Sequence, residues 1–469
     1  MLSCTSLSGA LKRVSAIRSL PTRHYCSAIP TCLVPRTHRK FERLPLFSMD
    51  SSRPTPACKR QRTSVEVAGM TPRHEVGKTF NVPGLVVREH TFTVPLDYSG
   101  TLFARELLAP ARNENLPFLV YLQGGPGFEA PRPCEASIWI KSAVNSHRVV
   151  LLDQRGTGRS APITTANLAK KGGPEEQAEY LALFRADSII RDCELVRKLL
   201  VPPTSFGGKW ALLGQSFGGF CATTYLSQAP EGLMEVIITG GLPPRISQPC
   251  AAEDVYRALH KRVLAANAKY YERFPSDVEL VGRIVRYLAA QPGGGLGTGG
   301  SFERLHYLLD GFFDGYGEMT PAFAKGFESW QSWDSNPLYA LLHEPIYCQG
   351  PQSACRWAAD RVRNSEPFAD AFDAEAAAAA NRPIMFTGEC VYRFMYDDIA
   401  ALRPFKETAD VLAEVEDLYV DYDMAMETAA AIKGLKVWVT NEYRHSGIRD
   451  DGGRIFDRLL GMARNAIFD

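Results

Sequence analysis

The sequence predicts an α/β fold, in which a mostly parallel sheet is flanked by helices and interrupted by an inserted helical cap. Two apolar runs, Phe118–Leu122 and Arg148–Leu152, are typical of parallel strands buried on both faces between helices. Strand-like and helix-like segments alternate around and after them, as in α/β proteins. From Gly241 to about Arg382 the strand-like runs stop and apolar residues recur at helical spacing, which indicates the cap.

The individual elements follow from the same periodicities. In chain order we expect strands at Leu85–Val87 and His90–Val94 (an opening hairpin), Phe118–Leu122, Arg148–Leu152, Trp210–Leu213, Val236–Thr239, Ile384–Thr387 and Leu435–Thr440, with helices over Asp187–Leu200, Phe220–Gln228 and Ile455–Ala463. The alanine run Ala376–Ala380 is expected to be part of a helix in the cap.

This pattern divides the chain into four parts. Residues 1–75 form a leader that is disordered or directs targeting, residues 76–244 the first part of the core, residues 245–382 the helical cap, and residues 383–469 the second part of the core. At 469 residues the chain is long enough for one elaborated enzyme domain with such an insertion.

The charge balance excludes several functions. With 53 Lys and Arg against 52 Asp and Glu the net charge is +1, whereas a general nucleic-acid binder needs a basic excess. The sequence also has no apolar run of the roughly 18 residues that a membrane span requires. We therefore expect neither nucleic acid nor a membrane as a partner, and the oligomeric state stays open.

The first 49 residues differ from the rest. They hold eight Lys or Arg and one acid, which leaves 45 basic against 51 acidic residues in the remainder. An Arg- and Ser-bearing segment poor in acids has the composition of an organellar transit peptide. We expect a mitochondrial or plastid location if the leader is one, and a cytoplasmic location otherwise.

The eleven cysteines show neither a Cys-x-x-Cys pair nor zinc-finger spacing. Such scatter is typical of small buried side chains in a reducing compartment. We expect no disulfide framework and no structural metal.

Gly214-Gln215-Ser216-Phe217-Gly218 is the strongest catalytic motif. It is a Gly-x-Ser-x-Gly that lies between a predicted strand and a predicted helix. A nucleophile on so tight a turn occupies strained backbone space, and side chains two residues away would collide with the neighbouring elements. We therefore predict that Ser216 is a nucleophile.

A serine hydroxyl needs a base, and on this kind of fold the order along the chain is serine, acid, histidine. Only His260, His306, His343 and His445 follow Ser216, and the first three fall within the predicted cap. His445, five residues after a predicted strand, is thus the expected base.

The acid that orients the histidine is less well defined. It should lie between the cap and His445, near the end of the preceding strand. The candidates are Glu414, Glu416, Asp417, Asp421 and Asp423. We choose Asp417.

Gly124-Gly125-Pro126-Gly127 follows an early strand and offers unhindered backbone N–H groups. We expect the N–H groups of Gly125 and Phe217 to stabilise the oxyanion of an acyl-transfer intermediate. A second glycine-rich segment, Gly295–Gly300, matches the dinucleotide pattern Gly-x-Gly-x-x-Gly, but it follows a predicted helix and is interpreted as a flexible loop.

Taken together, these motifs resemble the prolyl aminopeptidase (proline iminopeptidase) family of α/β-hydrolases. The resemblance extends from about residue 80 to the C-terminus. It rests on the Gly-Gln-Ser-Phe-Gly-Gly turn and on three further segments, Tyr121–Gly127, Leu152–Ser160 and Trp438–His445.

The resemblance implies a Ser-Asp-His serine exopeptidase of the α/β-hydrolase fold, with no cofactor. Its substrate would be a small peptide with a free N-terminus, and the reaction would release N-terminal proline. Carboxylates of the cap would hold the substrate's ammonium group, and Glu344 and Glu389 match those positions. Buried negative charge suits that role because it recognises a free amine and excludes a blocked one.

Two positions depart from the family pattern. Gln123 stands where many members have a histidine, and the residues before Asp417 alternate with charges where members have an apolar strand. Two other functions therefore remain open: a carboxylesterase or lipase on the same fold, and a catalytically impaired homologue retained for binding.

Overall fold

The computed structural model describes residues 72–94, 100–111, 113–244, 252–290, 302–330, 333, 335–347, 354–413, 422–440, 442–443, 445 and 447–466. The basic leader, the Gly295–Gly300 segment and the predicted acid Asp417 lie outside these residues. The expectations about them stay predictions.

The described strands form one seven-stranded sheet with the order β1-β2-β3-β5-β4-β6-β7. The strands are β1 (Arg73–Val82), β2 (Leu85–Val94), β3 (Gly100–Leu108), β4 (Phe118–Leu122), β5 (Arg148–Asp153), β6 (Trp210–Gln215) and β7 (Leu233–Thr239). Neighbours among β5, β4, β6 and β7 are parallel, while β1, β2 and β3 form an antiparallel meander joined to β5. Because direction reverses twice between β5 and β2, β2 points the same way as β4 to β7. The expected mostly parallel sheet is confirmed.

The predicted hairpin at the start of the sheet is wrong in its details. Leu85–Val87 and His90–Val94 are one continuous strand, β2, and Arg88 and Glu89 continue it by pairing with β3. The turn comes earlier, where Val82 pairs with Leu85. The two polar residues do not end the strand because an ion pair holds Arg88 to Glu106 of β3.

Seventeen α-helices lie in the described part of the chain. They are α1 (Ile138–Ala143), α2 (Thr165–Leu168), α3 (Pro174–Leu181), α4 (Ala186–Leu200), α5 (Phe217–Gln228), α6 (Ala252–Arg273), α7 (Asp277–Ala290), α8 (Phe302–Asp310), α9 (Pro321–Trp330), α10 (Pro337–His343), α11 (Ala358–Arg363), α12 (Ala374–Ala379), α13 (Met395–Asp398), α14 (Lys406–Leu412), α15 (Tyr422–Ala431), α16 (Gly447–Asp450) and α17 (Gly452–Ala463). Helices α6 to α12 occupy the region where the sequence predicts a cap.

The sheet is covered on both faces. On β4, Val120 and Leu122 belong to one apolar cluster, while Leu119 and Tyr121 belong to another that contains Trp139 of α1 and residues of α17. All five residues of β4 are buried. This two-sided burial explains the uninterrupted apolar run in the sequence.

The first of these clusters continues from the sheet into the helices beyond β7. Tyr256 and Val263 of α6 and Leu338 of α10 pack in the same cluster as Val120. A third cluster, which includes Tyr270, Ile284 and Phe312, lies among helices α6 to α9. The helical region therefore has apolar packing of its own and also shares packing with the sheet.

The strand predicted at Ile384–Thr387 is absent, since the structure shows an irregular extended segment there. Asn267 of α6 takes the place of a neighbouring strand. Its amide Nδ2 donates to the Phe386 carbonyl at 2.8 Å and its Oδ1 accepts from the Phe386 N–H at 2.8 Å. Tyr271 donates to the Ile384 carbonyl at 2.6 Å. The backbone groups are thus satisfied by helix side chains, and no sheet partner is required.

The strand predicted at Leu435–Thr440 is also absent. Val437 and Val439 are 38% and 55% exposed, so the segment does not gain the burial that makes an apolar strand favourable. The nearby Lys436 instead donates to the Met462 carbonyl at the end of α17.

Candidate active site

Ser216 occupies the sharp turn between β6 and α5. Its backbone has φ 56° and ψ −121°, a conformation that side-chain-bearing residues rarely adopt. A Cβ atom on Gly214 would lie 2.3 Å from the Gly218 carbonyl oxygen, and one on Gly218 would lie 2.1 Å from the Leu122 carbonyl oxygen. These contacts supply the steric reason for the Gly-x-Ser-x-Gly spacing.

His445 lies against this turn. Its Nε2 is 2.9 Å from Oγ of Ser216, so the two side chains that the sequence selects are in hydrogen-bond contact although 229 positions separate them. Ser216 is only 7% exposed. A histidine at this distance can accept the hydroxyl proton as the oxygen attacks a carbonyl.

Burial lowers the pKa of His445, and the nearby Arg449 lowers it further, while the carboxylate of Glu389 raises it. A lowered pKa keeps the imidazole neutral near pH 7, as a general base requires. Asp417, chosen as the orienting acid, lies outside the described residues, as do Glu414, Glu416 and Asp421. The position of the acid is therefore still a prediction.

Sequence reasoning missed two glycines at the end of β7. Gly240 has φ +62°, and a Cβ there would lie 3.2 Å from Nδ1 of His445 and 2.9 Å from its carbonyl oxygen. A Cβ on Gly241 would lie 1.9 Å from the Ser216 carbonyl oxygen. The sequence did contain a signal for these two residues. They form a Gly-Gly pair directly after a parallel strand, and the carboxyl ends of such strands border the crevice where ligands bind.

The loop after β4 passes over Ser216. A Cβ on Gly124 would lie 2.6 Å from the Ser216 Cβ, so only glycine allows this approach. Gly125 follows directly, and Phe217 is the first residue of α5, where backbone N–H groups have no partner within the helix. The structure thus brings the segments of both predicted oxyanion donors to Ser216, and their role stays a prediction.

Gln123 fits this loop without a histidine. In the orientation that satisfies its neighbours, the amide nitrogen donates to the Tyr121 hydroxyl at 3.0 Å and the amide oxygen accepts from the Gly124 N–H and from Arg449, both at 3.3 Å. Its backbone carbonyl accepts from Gln154 at 2.9 Å. These contacts fix the start of the Gly-Gly-Pro-Gly loop.

The Asp153–Ser160 motif supports the site and lies beside it. The Asp153 carboxylate accepts from the backbone N–H groups of Ala130 and Arg159, at 3.2 and 2.9 Å. Arg155 forms a buried two-point ion pair with Asp192 of α4, at 2.7 and 2.6 Å. The residues of this segment therefore tie β5 to α4 and to the loop that precedes α1.

Glu389 lies on the cap side of the site. It is half-buried, its Oε1 accepts a 2.6 Å hydrogen bond from Tyr339, and its charge acts on His445. Its role as an amine-binding residue stays a prediction.

Glu344 has different surroundings. It is 3% exposed, its Oε1 accepts from the Ala359 N–H at the start of α11, and its Oε2 has no hydrogen-bond partner. Burial raises the pKa of this carboxyl well above its ordinary value. The two predicted amine-binding glutamates therefore differ in their surroundings: Glu344 is buried, which disfavours its charged form, whereas Glu389 is half-buried.

The described residues lack two kinds of feature. They contain no group of three or more His, Cys, Asp or Glu side chains that could hold a metal ion. They also contain no helix that is long and apolar enough to cross a membrane. The described cysteines Cys134, Cys193, Cys221, Cys355 and Cys390 are free thiols.

The sheet order and the strained serine turn define the class to which this chain belongs, the α/β-hydrolases. In agreement, residues 117–285 match the family model described as the alpha/beta hydrolase fold. The chain is 40% identical over 432 residues to the proline iminopeptidase of Aeromonas sobria, covering 81% of this chain and 97% of that protein. It is 33% identical over 433 residues to proline iminopeptidase aneH of Aspergillus aculeatus, covering 81% and 94%. The chain belongs to the proline iminopeptidase family.

One solved structure among those similar to this chain is the proline iminopeptidase of Mycobacterium smegmatis. The match has 12% identity and a TM-score of 0.37, and it covers 80% of this chain and all of that one.

Proposed function

We propose that this chain is a serine exopeptidase that releases N-terminal proline from small peptides. The observation that supports this most directly is the 2.9 Å contact between Ser216 Oγ and His445 Nε2, next to the carboxylate of Glu389. A nucleophile and base whose surroundings include a carboxylate suit a substrate whose cationic N-terminus lies close to its scissile bond.

In the proposed reaction, Ser216 Oγ attacks the carbonyl carbon of the N-terminal proline while His445 Nε2 takes the hydroxyl proton. The N–H groups of Gly125 and Phe217 stabilise the resulting oxyanion. His445 then gives its proton to the leaving amine as the C–N bond breaks, which leaves a prolyl ester on Ser216. A water molecule, deprotonated by His445, attacks this ester and frees proline.

Amine recognition falls mainly to Glu389. A cationic N-terminus gains most from an ionised carboxylate, and the burial that raises the pKa of Glu344 disfavours that form. Glu344 Oε2 is buried without a hydrogen-bond partner, which leaves it available as a second acceptor. A substrate blocked at the nitrogen leaves Glu389 unpaired and binds poorly.

Asp417 is proposed to hold His445 in the tautomer that accepts at Nε2. Replacing the orienting acid of such a triad by its amide lowers kcat by about 10⁴-fold, and the oxyanion site and substrate binding retain weak activity. Asp417→Asn should show this loss while Glu414→Gln, Glu416→Gln, Asp421→Asn and Asp423→Asn stay near wild type. A large loss in one of the other four would move the assignment to that residue.

The central test uses proline 4-nitroanilide and its N-acetyl derivative. The wild-type chain should release nitroaniline from the free-amine substrate, and Ser216→Ala should not. Ser227→Ala is a matched control, because Ser227 lies on the same helix, is exposed and bonds to the Thr223 carbonyl. Unchanged turnover in Ser216→Ala would refute the assignment.

The same experiment separates the two other functions. An esterase would cleave a simple ester and N-acetylproline esters as readily as free-amine peptides, and Glu389→Gln would not reduce its activity. A catalytically impaired homologue would release no product and would not be labelled at Ser216 by a fluorophosphonate probe.

A further inference from the structure

One face of α10 holds Glu389 at two points. Tyr339 donates from its hydroxyl to Glu389 Oε1 at 2.6 Å, and His343 lies 3.0 Å, through its Nε2, from the Glu389 carbonyl oxygen. Residues four apart lie on the same side of a helix, so one short element fixes both the side chain and the backbone of Glu389. The carbonyl oxygen can only accept, which places the His343 proton on Nε2.

The same helix is seated on the loops that surround Ser216. A Cβ on Gly127 would lie 2.6 Å from the Leu338 Cβ and 2.8 Å from the Tyr339 backbone nitrogen. The rings of Phe128 and Tyr339 have centroids 5.1 Å apart. Gly156 meets Leu338 as well, since a Cβ there would lie 2.9 Å from Leu338 Cδ1. α10 is therefore in close contact with the loop that carries the oxyanion donor Gly125.

These contacts connect the two ends of the substrate site. On one side α10 touches the loop over Ser216, and on the other it holds the carboxylate proposed to bind the ammonium group. The placement of this carboxylate relative to Ser216 consequently depends on one helix that contacts both sides of the site.

We propose that Tyr339 is a positioning residue that orients the Glu389 carboxylate towards the ammonium group of the substrate. This inference rests on the proposed function and deepens it. The hydrogen bond from Tyr339 occupies Oε1 and leaves Oε2 to the substrate. Without it the carboxylate can rotate away from the ammonium group, and productive binding of free-amine substrates weakens.

The test compares Tyr339→Phe with wild type on proline 4-nitroanilide and on an N-acetylproline ester. Tyr339→Phe keeps the ring and its contact with Phe128, and it removes only the hydroxyl. We expect KM for the free-amine substrate to rise about tenfold, with kcat within twofold and with hydrolysis of the blocked ester unchanged. A structural role alone would change the kinetics of both substrates together.

Two further variants sharpen the result. Tyr287→Phe is a matched control, because Tyr287 makes a comparable 2.7 Å hydrogen bond to Glu318 on the exposed side of the cap, and it should leave both substrates unaffected. In the Glu389→Gln background, Tyr339→Phe should have no additional effect on KM, because the carboxylate it positions is gone.

The outcomes separate the two proposals. Wild-type kinetics in Tyr339→Phe, or an equal loss on both substrates, overturns the positioning role while the exopeptidase assignment stands. A wild-type chain that releases no proline overturns the proposed function itself. An additive effect of the two substitutions would show that Tyr339 acts independently of Glu389, which also contradicts the inference.

Discussion

The backbone of Ser216 is strained, and the strain costs conformational free energy. A residue other than glycine in this backbone region is destabilised by about 1–3 kcal/mol, and it persists only where the surrounding structure enforces it. Here the enforcement is visible: the Ser216 N–H donates to the Thr239 carbonyl at 2.9 Å, and glycines crowd the turn on both sides. The strain directs the hydroxyl outwards, towards His445.

Ser216→Gly should therefore stabilise the protein while abolishing its activity. Glycine adopts φ 56° without strain, so we expect the free energy of unfolding to rise by about 1 kcal/mol. Urea unfolding of Ser216→Gly and Ser216→Ala measures the difference. Greater stability in the alanine variant than in the glycine variant would contradict the strain.

The charge of Glu389 should be detectable in the pH profile. Because Glu389 raises the pKa of His445, Glu389→Gln should lower it. The base works when it is neutral, so activity increases as the pH rises through this pKa, and the acid limb of kcat/KM should move to lower pH in the variant. An N-acetylproline ester is the right substrate because it does not use the amine site.

Glu318→Gln serves as the control for that experiment, since Glu318 lies on the cap with Tyr287 as its partner. An acid limb that stays in place in Glu389→Gln, or moves to higher pH, would show that the two side chains do not interact as the structure indicates.

At the scale of elements, the joint between the antiparallel meander and β5 depends on one buried carboxylate. Glu106 of β3 is fully buried, with His90 at 3.1 Å and Arg148 of β5 at 2.5 Å. Burial alone would raise the pKa of Glu106, but hydrogen bonds from His90 and Arg148 outweigh it and hold the pKa below its ordinary value. Removing one partner of such a buried group leaves the others unpaired.

We expect Glu106→Gln to destabilise the protein by about 3–5 kcal/mol at neutral pH. Because the folded-state pKa is lowered, the wild-type advantage is complete above the ordinary value of 4.5 and disappears as the pH falls through the folded-state value. Chemical unfolding at a series of pH values measures this. Glu114→Gln, at a carboxylate that is 52% exposed, should cost less than about 1 kcal/mol.

The elements also show how far the sequence determines the fold. Strands buried on both faces were predictable because their apolar runs are continuous, as in β4 and β5. Ile384–Thr387 is also largely apolar but is not a strand. Asn267, over a hundred residues away in the sequence, forms the backbone hydrogen bonds that a neighbouring strand would otherwise form. A local apolar pattern predicts that a segment is buried, but it does not predict which partner forms hydrogen bonds with its backbone.

The candidate site likewise contains some residues that the sequence could predict and others that it could not. Ser216 and His445 could be selected from sequence because the chemistry restricts both residue type and order along the chain. Tyr339 and Gly240 could not, since their roles depend on contacts made only after folding. Glu344 and Glu389 are alike in sequence terms, and only the structure shows that Glu344 is buried and Glu389 half-buried.

At the scale of the whole molecule, the sheet and the helical region share one apolar cluster. Tyr256 of α6 is fully buried in the cluster that contains Val120 of β4. Elements that share a core usually lose it together, so we expect both regions to unfold in one transition.

Tyr256→Ala tests this expectation. It should cost about 3–5 kcal/mol, as for other large aromatic truncations, and should lower hydrogen-exchange protection in β4 as well as in α6. Tyr307→Ala, at a residue that is 72% exposed, should change neither. Loss of protection confined to the helices would show that the cap unfolds separately.

The contacts between α6 and the segment that precedes Glu389 have a consequence for selectivity. Asn267 and Tyr271 of α6 bond to the backbone of this segment. Val263 of α6 packs against Gly388, where a Cβ would lie only 2.6 Å from Val263 Cγ2, so α6 contacts the segment at every second residue. A displacement of α6 would therefore pull on Glu389, which α10 holds from the other side through Tyr339 and His343. Since Glu389 is proposed to bind the substrate's ammonium group, a molecule in which α6 had moved would distinguish free from blocked amines less well, and the packing of one helix in the cap would bear on selectivity.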